Sequence, residues 1–330
     1  RSLVGSEMCI RDRGNWVHER FHSGPEGRVE AYGNIIMHGV QGESPFGSEK
    51  LARSFWIDFV EKVDTYNEPG RFTAMSGFEW TSTPTGDNLH RVVIFRDGSG
   101  KTSRTLPFTM FDSPDPEDLW KYLTSYEDKT GGQGIAIPHN GNLSNGLMFG
   151  ETTFSGKPID REYAEKRMRW EPIVEMTQMK GDGETHPLLS PEDEFADYEN
   201  WSLSNLAGTA AKTDDMLQYE YARSALKQGL KLDNKTGANP YKFGMIGASD
   251  THTALSTTRE ENYFGKYKSA EPGPDRHNTE VVPAQDPSLR IFASQEVASG
   301  LTVVWARDNT RGEIFDAMKR KEVYATTGTR

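Results

Sequence analysis

The sequence predicts one α/β domain built on a mostly parallel sheet or barrel. Three observations carry that expectation: short apolar runs alternate with helical segments, several of those runs meet a carboxylate or an imidazole, and no internal repeat divides the chain. At 330 residues the chain is long enough for one large domain.

Leu51, Phe55, Trp56, Phe59, Val60 and Val63 recur at spacings of three and four, which predicts an amphipathic helix closing at YNEPG. RFTAMSGFEW follows as a short buried strand ending at Glu79, and HRVVIFRD as a second strand opened by His90. Asp115, Pro116 and Asp118 form a helix start, with an N-cap, proline at the first position and an acid in the first turn. GIAIPHN is a strand running into His139, and PIVEMTQ is a strand carrying Glu175. Ser190-Pro191-Glu192-Asp193 predicts another helix start. Thr213 to Gln228 predicts a helix closed by Gly229, with acids early and Arg223 and Lys227 late. FGMIGAS is a strand leading to Asp250 and His252. LTVVWA is one more, followed by a Thr310-x-x-Glu313 capping box, the helix EIFDAMKRK and the strand VYATT. Residues 253–300 are expected to form a long, largely structureless loop or lid.

Composition excludes several classes. With 49 acidic against 38 basic residues, the net charge of −11 disfavours nucleic acid or an anionic membrane as partner. No apolar run approaches the ~20 residues of a membrane span. The single Cys9 excludes a disulfide framework and a cysteine-based zinc site. The mean hydropathy of −0.72 implies a modest core among polar loops. RSLVGSEMCIRDR, residues 1–13, has no strand or helix periodicity and reads as a non-native leader, which leaves 14–330 as the domain.

Glu79, His90, His139, Asp250 and His252 all stand at the edges of apolar strands, where the active sites of α/β folds collect. Carboxylate and neutral imidazole suit Zn, Mn or Fe. Asp250 and His252, two apart on an extended segment, would point to one side. His18 and His22 sit in a polar stretch, His186 and His277 in loops, and His38 follows an apolar run without a partner in sight.

The ordered set GFE, HRVVIF, IPHN and GASDTH resembles the PHP (polymerase and histidinol phosphatase) superfamily of metal-dependent phosphoesterases. More narrowly, NLHRVVIFRD, IPHNGNLSNG, IVEMTQMKGDGE, IGASDTHTA and RGEIFDAMKRKEVYATTGTR resemble a bacterial PHP-like branch of unknown function, over most of residues 50–330. The resemblance implies a distorted (β/α)7-type barrel related to the TIM barrel, holding two or three divalent ions. It implies metal roles for Glu79, His90, His139, Asp250 and His252, with Glu79, His139, Asp250 and His252 also catalytic. It further implies a metal-bound hydroxide attacking a phosphate, sulfate or phosphonate ester. Asn140, Asn142, Asn145, Gln178, Lys180 and Arg311 are candidates for gripping a small anionic substrate.

The sequence departs from the family pattern in one respect. No His-x-His occurs in it, and no following Asp-His. The first βα units are therefore expected to be missing, the metal site incomplete and turnover impaired. Members of the resembled branch are often exported, and a signal would lie in that missing part. Two other readings stay open: an amidohydrolase-like C–N hydrolase, for which Lys180 after a strand would be the bridging lysine, and a non-catalytic binding protein on the same barrel.

Overall fold

Three short strands make the sheet that carries most of the candidate ligands. In the computed structural model these are β1 (Gly77–Trp80), β2 (Arg91–Phe95) and β3 (Gly134–Pro138), antiparallel in that order. The model describes residues 49–252, 255–256, 265–266, 273–297 and 300–327, with isolated positions between 16 and 34. The leader 1–13 and His18, His22 and His38 lie outside the described residues.

Helix α1 (Glu49–Tyr66) precedes this sheet, and the short α2 (Ser99–Thr102) and the longer α3 (Pro116–Thr130) lie between β2 and β3. Asp115 caps α3 by accepting from the Glu117 amide at 2.9 Å, and Gly131 ends the helix in the left-handed conformation. Helix α4 (Arg161–Trp170), which the sequence reading does not name, leads into β4 (Ile173–Gln178). β4 pairs antiparallel with the two-residue β5 (Gly181–Asp182) and parallel with β6 (Gly244–Gly247), which follows α5 (Ala222–Thr236). The strand pair β7 (Glu280–Val282) and β8 (Ile291–Phe292) lies within the predicted long loop. The described part of that loop is therefore partly structured. β9 (Leu301–Val304), α6 (Arg311–Lys319) and β10 (Val323–Thr326) close the described chain, with Thr310 accepting from the Glu313 amide as the capping pattern predicts.

No barrel forms. Among the described residues the strands make small sheets of two or three, none closed on itself, and the only parallel pairing is β4 with β6. The reason is local: β1 returns to β2 by a loop without a crossover helix, so its neighbour is antiparallel. The predicted (β/α)7 barrel and mostly parallel sheet are thus corrected to a mixed α/β arrangement of open sheets. Two helix boundaries also change. Ser190–Asp193 makes turns rather than a helix start, and Thr213–Glu220 is turns and one 3-10 segment. The helix begins at Ala222 and ends at Thr236, capped by Gly237, past the Gly229 that sequence proposes as its stop.

The core has two sides. Phe78, Val93, Phe95, Ala136, Val174 and Met176 face one cluster with Trp120 and Leu123 of α3 and Trp170 of α4. Ile135, Ile137, Ile173 and Ile246 face the other with Phe315 of α6, joined by Val92 and Ile94. Strands covered on both faces read as continuous apolar runs, which is why the alternation in them is faint. No helix among the described residues is long and apolar enough to cross a membrane.

Candidate metal centre

Strand register brings the first three ligands together. Val92 pairs with Glu79 on one side and Ile137 on the other. Side chains alternate across a strand, so His90, two residues before Val92, and His139, two after Ile137, share the face of Glu79. The donor atoms of Glu79, His90 and His139 all lie within 4.8 Å of one another and could hold a metal ion. His90 Nδ1 is 2.9 Å and His139 Nε2 3.0 Å from the same oxygen, Glu79 Oε1. The two rings stand nearly perpendicular, at 83°. Both histidines are buried, whereas the Glu79 side chain is 32 % exposed, which leaves the group an opening to solvent.

Two hydrogen bonds hold the His90 ring. A carboxylate only accepts, so Nδ1–H donates to Glu79 Oε1 at 2.9 Å, and Nε2 accepts from the Thr83 hydroxyl at 2.9 Å. Burial pushes His90 down toward the neutral form, against Glu79. A metal ion held by His90 and Glu79 would take the place of that Nδ1 proton, and Nε2 would then carry the hydrogen and donate to Thr83 Oγ1. The His139 ring is buried too: its Nδ1 has no hydrogen-bond partner, and its Nε2 has the same Glu79 oxygen at 3.0 Å. Burial pulls the His139 imidazole down, but Glu79, Glu175 and Asp250 outweigh it and push its affinity for a proton up. The same negative field attracts a metal cation. Two imidazoles and a carboxylate are a donor set that Zn, Mn or Fe accepts, so the residues fit the implied ion.

Thr83 then orients a ligand as second-layer partners of metal sites do. Thr83→Val keeps the volume and removes the acceptor. Zinc affinity measured by calorimetric titration is expected to fall by about 10–100-fold. Unchanged affinity would show that Thr83 does not support the metal-bound His90.

Asp250 and His252 sit differently from the three residues above. Asp250 follows β6 with φ +55°, in the left-handed region. Its Oδ2 accepts from the ammonium groups of both Lys180 and Lys266, the latter at 2.5 Å. Burial pushes the Asp250 carboxyl up, but these two cations hold it far below the usual carboxylate range. His252 is exposed, with Nδ1 2.8 Å from the Asp250 carbonyl and 3.3 Å from Lys266 Nζ.

The predicted substrate-binding residues divide. Asn140, in the left-handed conformation after His139, accepts from Gln178 Nε2 at 2.7 Å, and Gln178 Oε1 accepts from the Lys180 amide at 2.9 Å. Asn142 donates to the Lys180 carbonyl at 3.1 Å. These bonds tie Asn140, Asn142, Gln178 and Lys180 into one buried layer behind His139. Asn145 instead accepts from Lys212, which pairs with buried Glu220 at 2.6 Å. Arg311 donates to the Ala74 carbonyl at 2.7 Å and stands 2.9 Å from Asp64, joining α6 to α1.

Three neighbours escape sequence reasoning. Glu175 is buried on β4 with Oε1 unpartnered, and burial, relieved in part by His139, pushes its carboxyl up to about 7. Its signal was a lone acid in an apolar strand. Lys266 and Thr83 carry no such signal, because their contacts join residues 16 and 7 apart in sequence.

A family model described as "Protein of unknown function (DUF3604)" matches residues 30–330. The chain belongs to that family. Comparison with curated proteins gives no match, and comparison with solved structures gives none.

Proposed function

We propose that this chain is a metal-dependent hydrolase of small anionic esters, phosphate esters first and sulfate or phosphonate esters by the same chemistry. The reading rests on the convergence of Glu79, His90 and His139, whose donor atoms all lie within 4.8 Å of one another and could hold a metal ion. Glu79, His90 and His139 would hold that ion. The resemblance to the PHP superfamily supports the hydrolase assignment and a Zn, Mn or Fe ion; the second or third ion and the ligands Asp250 and His252 that it also implies are left out of this reading, because Lys266 engages both residues. A divalent ion bound there supplies a Lewis acid and lowers the pKa of water from 15.7 toward ~7.

The chain's own residues set the rest. Lys180 and Lys266 bring two ammonium groups to the Asp250 side of the site, which suits a substrate carrying negative charge. Glu175, with its pKa near 7, can hold a proton at neutral pH for a leaving group. The layer of Asn140, Asn142 and Gln178 fixes the Lys180 backbone. The ion pair of Lys180 with Asp250 also weighs against the amidohydrolase-like alternative, in which that lysine would become an anionic bridge beside a carboxylate.

The chain loaded with Mn2+, Zn2+ or Fe2+ is expected to release nitrophenol from nitrophenyl phosphate mono- or diesters, or from the sulfate. The rate should be low, since no His-x-His stands in the sequence, and should vanish with a chelator and in His139→Leu. Hydrolysis that survives both would contradict the reading. Metal binding without any turnover would favour a binding protein.

A further inference from the structure

Asp250 and His252 are the two ligands that the family resemblance adds to the triad, and Lys266 occupies both. Its Nζ lies 2.5 Å from Asp250 Oδ2, 3.1 Å from the Asp250 carbonyl and 3.3 Å from His252 Nδ1. Lys180 reaches the same Oδ2 from the opposite element, β4–β5. Both lysine side chains are nearly fully buried, at 6 % and 3 % exposure. Neither cation is a loose surface group that swings aside without cost. The Lys180 backbone is also pinned at both ends, its amide on Gln178 and its carbonyl on Asn142.

We propose that the Lys180–Lys266 pair takes the place of a second metal ion at Asp250, so that the centre holds a single ion at Glu79, His90 and His139. This rests on the reading of that triad as a metal centre. The argument is one of charge and lone pairs. Two N–H donors take up the lone pairs of Oδ2. A divalent ion on the same carboxylate would stand beside two unit positive charges in a poorly screened site, where like charges repel strongly. Metal–oxygen bonds of about 2.0–2.2 Å leave no space for the ion and both ammonium groups on one oxygen. Among the described residues, the group of three or more donors that could hold an ion contains Glu79, His90 and His139, and neither Asp250 nor His252. The lysines thus supply positive charge next to the ion with no further metal.

Titration of the tag-free, metal-stripped chain with Zn2+ and with Mn2+, followed by calorimetry and elemental analysis, reads the ion count directly. One equivalent is expected for the unaltered chain and for Asp250→Asn, with affinities within about threefold, and none for His139→Leu. The count in the unaltered chain needs no variant. Should Asp250→Asn not fold, Lys180→Met/Asp250→Asn keeps the local charge balance and is expected to give the same single equivalent. Two or more equivalents, falling to one when Asp250 is replaced, would overturn the inference and leave the triad reading intact. No binding at all would overturn both.

Discussion

Replacing His139 by leucine is expected to abolish metal binding while leaving the metal-free protein at least as stable as before. Removing partners of the outer layer of a metal site costs about 10–100-fold in affinity, so deleting a ligand should cost at least about 100-fold. The stability half of the prediction comes from His139 Nδ1. The ring is 2 % exposed, Nδ1 has no partner, and Nε2 meets Glu79, which keeps His90, so a metal-free fold carries an unsatisfied buried polar atom. An apolar side chain of similar size removes that cost and is neutral or stabilising. Thermal melts with and without Zn2+ separate the two halves: zinc should raise the melting temperature of the parent chain and not of the variant. A variant that melts far below the metal-free parent would show that His139 is held by the protein and not kept for an ion.

The largest loss of stability is expected at Glu171. Its carboxylate lies between two guanidinium groups, 3.0 Å from Arg91 Nε and 3.0 Å from Arg167 Nε, and it accepts from Trp120 Nε1 at 3.1 Å. All three charged side chains are at most 4 % exposed. Burial pushes the Glu171 carboxyl up, yet Arg91 and Arg167 outweigh it and hold the group ionised. Glu171→Gln keeps the shape and strands two cations in the core. Breaking a buried ion network this way costs about 3–5 kcal/mol, readable as a lowered urea midpoint. The effect reaches the site, because Arg91 adjoins His90 and pairs with Trp80 next to Glu79. Zinc affinity of the folded fraction is therefore expected to fall as well. A midpoint shift equivalent to less than about 1 kcal/mol would mean that Arg91 and Arg167 find other partners.

The candidate ligands could be read in the sequence to the extent that they sit beside strands. Glu79 on GFEW, His90 before RVVIF and His139 after GIAIP stand out because a polar residue ends an apolar run, and the two strands predicted around Glu79 and His90 are present as the antiparallel β1–β2 pair. Asp250 stands out for the same reason, and so does Lys180 after its strand, but their meeting does not. Lys266 stands 16 residues from Asp250 in sequence, and no local pattern encodes that contact. The sheet order was less legible still. Apolar runs alternating with helices suggest parallel strands, but hydrogen-bond partners are chosen between distant segments. β9 and β10 pair antiparallel although α6 lies between them. Helix α5 shows the same limit: acids at Asp214 and Asp215 mimic a helix start, while the chain turns through residues 213–220 and begins the helix at Ala222.

The central claim is that Glu79, His90 and His139 bind a divalent ion, and titration with Co2+ followed by its visible absorption tests it most directly. The account predicts d–d bands that saturate with added cobalt, are displaced by Zn2+, and disappear in both Glu79→Gln and His139→Leu. Bands that persist unchanged in both variants, or no bands at saturating cobalt with the parent chain folded, would contradict it.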